Sequence, residues 1–367
     1  MSLITPVQGL IGGLLIGLSA AFLLLFNGDI LGISGVTTST MLNPRKHFSD
    51  TSMLWKSVFI ASLLVTSQLF LAESARNNPF MQFPLKVSPL GQIIGGFLVG
   101  FGTKLGSGCT SGHGICGLAR LSKRSFVAVA TFMSTAFITT FLTTGPLSSQ
   151  TEFLRSTNAP VFQPILGYVF TTLSVLSAIF HSGLPPVADS PMKLRVNHHC
   201  KVWASIPAGA IFATGLWYSG MVFPSKVFGF LHLSGLSDGS FDPTLIFVMG
   251  AGVLISFVSY QFVQGHSIIQ HNGTFSCPLM MSDTNGTPTG TFGIPTRTTI
   301  DSSLVVGSAL FGIGWSISAI CPGPALFHVA TGFVTVIALW WPAYLMGASL
   351  AQSSIDQLLA LREKKAV

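Results

Sequence analysis

Two of the five cysteines in this 367-residue chain stand at matched places. GFGTKLGSGC carries Gly100, Gly102 and Cys109, and GIGWSISAIC carries Gly312, Gly314 and Cys321. The pattern G-x-G-x6-C recurs at a constant offset of 212, with Leu98 or Leu310 two residues before the first glycine. A neutral thiol is a weak hydrogen-bond donor and a polarizable neighbour, able to touch a soft atom without trapping it. A thiol repeated beside Gly- or Pro-broken backbone is therefore read as a substrate contact rather than plain packing.

The first copy opens into KLGSGCTSGHGICGLAR, Lys104 to Arg120, with five glycines in seventeen residues. Glycine resists staying helical and exposes backbone, so a membrane helix is expected to end here. A helix restarting after Cys109 would aim N–H groups and its positive dipole end at a ligand, which suits an anion. His113 is expected to add a donor, Gly108 and Gly112 to open the backbone, and Lys104 to face a cavity. Cys116 has no counterpart in the second copy and is kept as a secondary candidate. Asp29 is expected to pair with Lys104 or Lys226. Cys200, in NHHCK, and Cys277, in a long polar loop, are read as incidental. An odd cysteine count without C-x-x-C argues against a disulfide framework and a zinc site. The glycine run lacks G-x-x-x-x-G-K-[ST] and follows no strand, so it is not a phosphate loop.

The elements that hold these residues belong in a bilayer. The chain is 49% hydrophobic and 8% charged, against roughly 25% charged in soluble domains; its mean hydropathy is +0.65. The first apolar run lacks a basic start and a cleavage site, and is read as a retained span rather than a signal peptide. Apolar runs of about the 20 residues that a crossing needs lie near 7–27, 53–72, 90–106, 125–145, 161–181, 203–221, 243–264, 303–320 and 329–352. Four pieces between them are too short to span: NGDILGISGVTTSTM, CTSGHGICGL, PSKVFGFLHLSG and CPGPAL. Irregular backbone at membrane depth is tolerated only beside protein or a polar cavity, so these pieces mark a pathway. DILG at 29–32 and KVFG at 226–229 share a shape.

The expected fold is an all-α polytopic membrane protein. About nine transmembrane helices form two inverted repeats, and short broken or re-entrant helices meet centrally. The divisions are a first repeat at 1–145, a linker span and polar loop at 146–202, a second repeat at 203–352, and a basic tail at 353–367. The net charge of +7 fits basic inner loops. NPRKH, RLSKR, KLRVNHHCK and LREKKAV fall on one side under a nine-span count, which makes the C-terminus cytoplasmic and the sequons at Asn272 and Asn285 unused. No basic-aromatic nucleic-acid motif occurs.

GFGTKLGSGCTSGHGICGLARLSKRS and ALFGIGWSISAICPGPAL resemble the YeeE/YedE sulfur-transport family, as do FNGDILGISG and GMVFPSKVFGFL. Members take up thiosulfate, and some carry the two halves on separate chains. The resemblance implies an hourglass-like helical bundle with a positive interior, no ATP-binding domain, and thiols that contact thiosulfate in relay. Cys109 and Cys321 match the two central cysteines. Some members use a further cysteine in the first repeat; here none precedes Cys109, so Cys116 would have to stand in. Lys104 stands where the family leads one to expect Arg, keeping charge but losing the bidentate fork.

The reading is a thiosulfate importer, not an enzyme, with Cys109, Cys321, Cys116, His113, Lys104, Gly108 and Gly112 as contacts. No cofactor or metal is implied. The expected partners are thiosulfate, the lipid bilayer and a second copy in a homo-oligomer, at the plasma membrane. The alternatives are a carrier of sulfite or sulfate, and an intramembrane thiol enzyme.

Overall fold

The computed structural model describes residues 6–42, 53–77, 87–143, 168–176, 178, 192–265 and 293–366. Among these every regular element is helical. The first part holds α1 (Pro6–Phe22, extended by a π turn to Asn27), α2 (Ile33–Met41), α3 (Leu54–Asn77), α4 (Pro89–Leu105), the π-helical α5 (Thr110–Gly117) and α6 (Lys123–Thr143). The second holds α7 (Met192–Tyr218), α8 (Pro224–Leu231), α9 (Gly235–Asp238), α10 (Thr244–Gly265), α11 (Ser302–Ser318), α12 (Pro322–Ala330) and α13 (Trp341–Ala366, after a π turn from Val336). Among the described residues, four segments can cross a membrane by length and composition: Pro6–Asn27, Lys123–Thr143, Thr244–Val263 and Ser302–Ala330. Of the expected span at 161–181, only 168–176 and 178 are described, and both are helical.

Local chemistry explains where several helices start. Pro89, Pro224 and Pro322 each open a helix, where the missing N–H is harmless and the fixed φ already helical. Ser88 caps α4 by accepting the Gly91 N–H at 3.1 Å. The four pieces too short to span become the short helices α2, α5, α8 and α12. One expectation is corrected: KLRVNHHCK is not a loop but the start of α7, which begins at Met192. The basic tail is helical to Ala366, continuous with α13, through good helix formers. DILG and KVFG also differ in place: Asp29 precedes α2, whereas Lys226 lies inside α8. Cys277 and both sequons lie outside the described residues.

Glycines let these helices touch. α4 packs on α11 and α13, α11 on α6, α1 on α10 and α7, and α3 on α7. Gly102 abuts Gly307 and Phe311 of α11, while Gly314 abuts Gly95 and Val99 of α4. Gly100 lies on the Tyr344 carbonyl, and Gly312 lies on that of Phe132. The partners themselves keep the spacing of 212: 95 and 307, 99 and 311, 132 and 344. Lipid offers helices no hydrophobic reason to associate, so close backbone approach between small residues carries the packing. The G-x-G pairs are thus interhelix contacts, not helix breaks. Leu10, Leu14 and Leu18 of α1, Leu254 and Val258 of α10, and Ile138 and Phe141 of α6 stay exposed, forming the apolar outer surface.

Candidate functional site

Each matched cysteine stands between the end of a long helix and the start of a short one. After α4 and α11 the chain turns through Ser107 (φ 63°) and Ala319 (φ 54°), two residues before Cys109 and Cys321. Left-handed backbone at a non-glycine residue costs about 1–2 kcal/mol, and here it recurs at the same spacing of 212. Cys109 (φ −132°, ψ −168°) and Cys321 (φ −110°, ψ 168°) are then extended N-cap residues of α5 and α12. Their carbonyls accept the N–H groups of His113 at 2.9 Å and Ala325 at 3.0 Å.

This geometry brings both thiols to one cavity of about 450 Å³. Thr110, Ser111, Pro322, Gly323 and Pro324, the first turns of α5 and α12, share its wall. Two helix N-termini, each carrying a partial positive charge, therefore meet beside the sulfurs. Thr110 Oγ1 donates to Cys321 Sγ at 3.9 Å, and Cys109 Sγ lies 3.3 Å from Ser111 Oγ. Most of the remaining wall is carbon and thioether sulfur: Phe132, Trp315, Met133, Met221 and Met249.

A second cavity, of about 530 Å³, is polar and cationic. Lys56, Lys104 and Arg120 line it together with Gly108, Gly112, His113 and a single carboxylate, Asp29. Among the described residues Lys104 has no ion pair. A thin septum divides the cavities. Cys109, Thr110 and Ser111 face the first, whereas Ser107, Gly108, Gly112 and His113 face the second. The Ile33 N–H donates to Ser111 Oγ at 3.2 Å, tying α2 to this septum.

The expected site residues thus separate into groups. Cys109 and Cys321 meet in one cavity; Lys104, Gly108, Gly112 and His113 line the other. Cys116 is buried and lines neither, its thiol directed at the Leu31 carbonyl at 3.8 Å. His113 Nε2 lies 3.2 Å from the Gly106 carbonyl and Nδ1 lies 3.0 Å from Ser125 Oγ. A carbonyl only accepts, so Nε2 carries the proton and the Ser125 hydroxyl donates to Nδ1. The neutral ring is therefore satisfied by the fold, with no donor left for a ligand. The expected Asp29 pairing is also corrected: Asp29 pairs with Lys201 at 2.9 Å, and Lys226 with Asp242 at 3.1 Å. The charges close nearer partners than the sequence could identify.

Residues 293–301 pass over the cationic cavity, which Gly293 and Pro295 help to line. Arg120 donates to the Pro295 carbonyl at 3.0 Å, and Arg124 pairs with Asp301 at 2.8 Å. Asp301 also pairs with Arg297 at 2.7 Å. Partial burial alone would push the Asp301 carboxyl up. Hydrogen bonds from Ser303 and Arg124, with the Arg124 charge, outweigh that and hold it at about 2. Trp315, the three methionines, Lys56 and Arg120 were not singled out as site residues from sequence. No short pattern marks the first five, and Arg120 registers there only as part of a basic loop.

The family described as sulphur transport matches residues 2–138, and a family of unknown function (DUF6691) matches residues 200–364. A probable transporter of Xylella fastidiosa (strain Temecula1) is 39% identical over 132 residues, which is 35% of this chain and 89% of that protein. A probable transporter of strain 9a5c is 38% identical over 132 residues, covering 35% and 89%. A further probable transporter of Temecula1 is 29% identical over 146 residues, covering 40% and 85%. With apolar helices long enough to cross a bilayer and a thiol cavity beside a cationic one, the chain belongs to the YeeE/YedE sulphur-transport family and is a multi-pass, sulfur-related membrane transporter.

Proposed function

We propose that the protein takes up thiosulfate, passing it between the two cavities through the septum at Cys109. The observation that carries this reading is the meeting of two thiols and two helix N-termini in one chamber next to a cationic one. Thiosulfate has two unlike ends, a soft terminal sulfur and a charged oxyanion face. Neutral thiols and thioethers suit the sulfur, while helix N-termini and Lys104 suit the oxyanion. A thiolate would repel the dianion, so the thiols act protonated. Each contact is weak, as passage requires of a site that must also release its ligand.

The same reading takes the matched contacts at spacing 212 as an internal duplication with inverted topology, the two halves crossing at the septum. The exchange of α1 with α7, α3 with α10, α4 with α11 and α6 with α13 maps the helix contacts onto themselves, which supports it. Basic segments that fall on one side under the nine-span count support a cytoplasmic C-terminus, and the reading keeps the chain at the plasma membrane. Cys116 is left off the path.

Uptake of labelled thiosulfate by proteoliposomes tests the proposal. Cys109→Ala and Cys321→Ala should each lower uptake at least tenfold, and wild-type rates in both would sink the thiol mechanism. Competition by sulfite and sulfate separates the nearest alternatives. Recovery of chemically unchanged substrate inside excludes an enzyme.

A further inference from the structure

The thiol cavity has one strong donor that the fold does not use. Trp315 of α11 lines the cavity and is 1% exposed, and its indole Nε1–H has no acceptor. A buried donor without a partner costs about 1–3 kcal/mol, so such groups are normally paired. The same helix shows the ordinary solution. Ser318 Oγ accepts the Trp340 indole N–H at 3.2 Å, yet nothing comparable serves Trp315.

The matched half is also instructive. At the spacing of 212, Trp315 corresponds to Thr103, whose hydroxyl donates to the Gly100 carbonyl at 3.2 Å. One copy is satisfied internally, while the other keeps an indole N–H without an acceptor on a residue that lines the thiol cavity. The ring is held firmly: Phe311 stacks on it at 6.2 Å and 5°, and Phe132 meets it edge-on at 6.3 Å. A rigid, neutral donor in a nearly apolar wall binds an anion oxygen without adding a counter-charge that would hold it permanently.

We infer that Trp315 is a substrate-contacting residue whose indole N–H donates to an oxygen of the anion held beside Cys109 and Cys321. This rests on the transport reading above and adds to it the group that recognises the oxyanion end. The test measures the concentration of thiosulfate, sulfite, sulfate and chloride that half-stabilises the purified protein against heat, together with KM for thiosulfate uptake. Trp315→Phe keeps an aromatic ring for the stack. Benzothienylalanine at position 315 keeps the full shape and replaces only N–H by sulfur, which covers the case of a poorly folding phenylalanine variant.

Both replacements should weaken thiosulfate binding roughly ten- to hundredfold, the range for a hydrogen bond to a charged group, while the ligand-free melting temperature of the isostere rises, because the unpaired donor is gone. Thiosulfate binding at wild-type concentration in the isostere overturns the role of Trp315 and leaves the transport reading intact. If only another oxyanion stabilises the wild type, and the isostere loses that effect, Trp315 stands and thiosulfate falls. Stabilisation of the wild type by no oxyanion overturns both.

Discussion

The strained residues ahead of each thiol set where the sulfur sits. Ser107 and Ala319 both adopt left-handed backbone, at φ 63° and 54°, a conformation that glycine accepts without a Cβ clash. Ala319→Gly should therefore stabilise the fold by about 1 kcal/mol. The check is the unfolding midpoint in detergent, and an unchanged or lower midpoint contradicts the strain. If that strain keeps Cys321 in register with the start of α12, the glycine variant should also transport more slowly despite its greater stability. At this scale the sequence revealed the thiols, because repetition exposes them, and the end of α4, which Gly106 caps, but not the left-handed residues of the turn. Glycine was the natural suspect for a helix end, whereas the left-handed residues are serine and alanine, which no propensity argument would choose. Cys116 sits in the same quoted stretch as Cys109, and only the three-dimensional path of α5 turns it away from both cavities.

Among the elements, the crossing at 293–301 has the clearest electrostatic content. Arg124 is nearly buried, and Asp301 holds it, with side-chain exposures of 6% and 29%. Asp301→Asn leaves that guanidinium with a neutral acceptor and should lower stability by about 2 kcal/mol at neutral pH. The carboxyl is held at about 2 in the folded protein, below its unfolded value near 3.9. Its contribution is present above pH about 4 and disappears as pH falls through about 2. Wild type and Asp301→Asn should therefore differ in unfolding midpoint at pH 6 and converge near pH 2. A constant difference across that range contradicts the assignment. The short helices were legible as elements, since a piece too short to span between apolar runs has few other fates. The ion pairs were not, because Asp29, Lys201, Lys226 and Asp242 meet through tertiary contacts that charge counting cannot order.

Across the whole molecule, the repeated spacing makes a prediction that neither half makes alone. Gly100 and Gly312 occupy matched positions in α4 and α11, and each lies against a carbonyl of a helix from the other half, Tyr344 on α13 and Phe132 on α6. A Cβ at either site would overlap backbone, which cannot swing aside as a side-chain tip can. The sequence displayed these glycines as a motif, yet their use as contacts appears only when the partners are seen to repeat as well. If the two interfaces are equivalent, Gly100→Val and Gly312→Val should damage the protein alike, each by more than about 2 kcal/mol, as overpacking against backbone does. Gly35→Ala is the control: an added Cβ there meets nothing within 4 Å, and alanine favours the helix by roughly 0.5–1 kcal/mol. Unfolding midpoints of the three variants in detergent decide the matter. Two matched losses beside an unharmed control support one interface used twice, whereas a loss at Gly100 with tolerance at Gly312 would show that only one half depends on it.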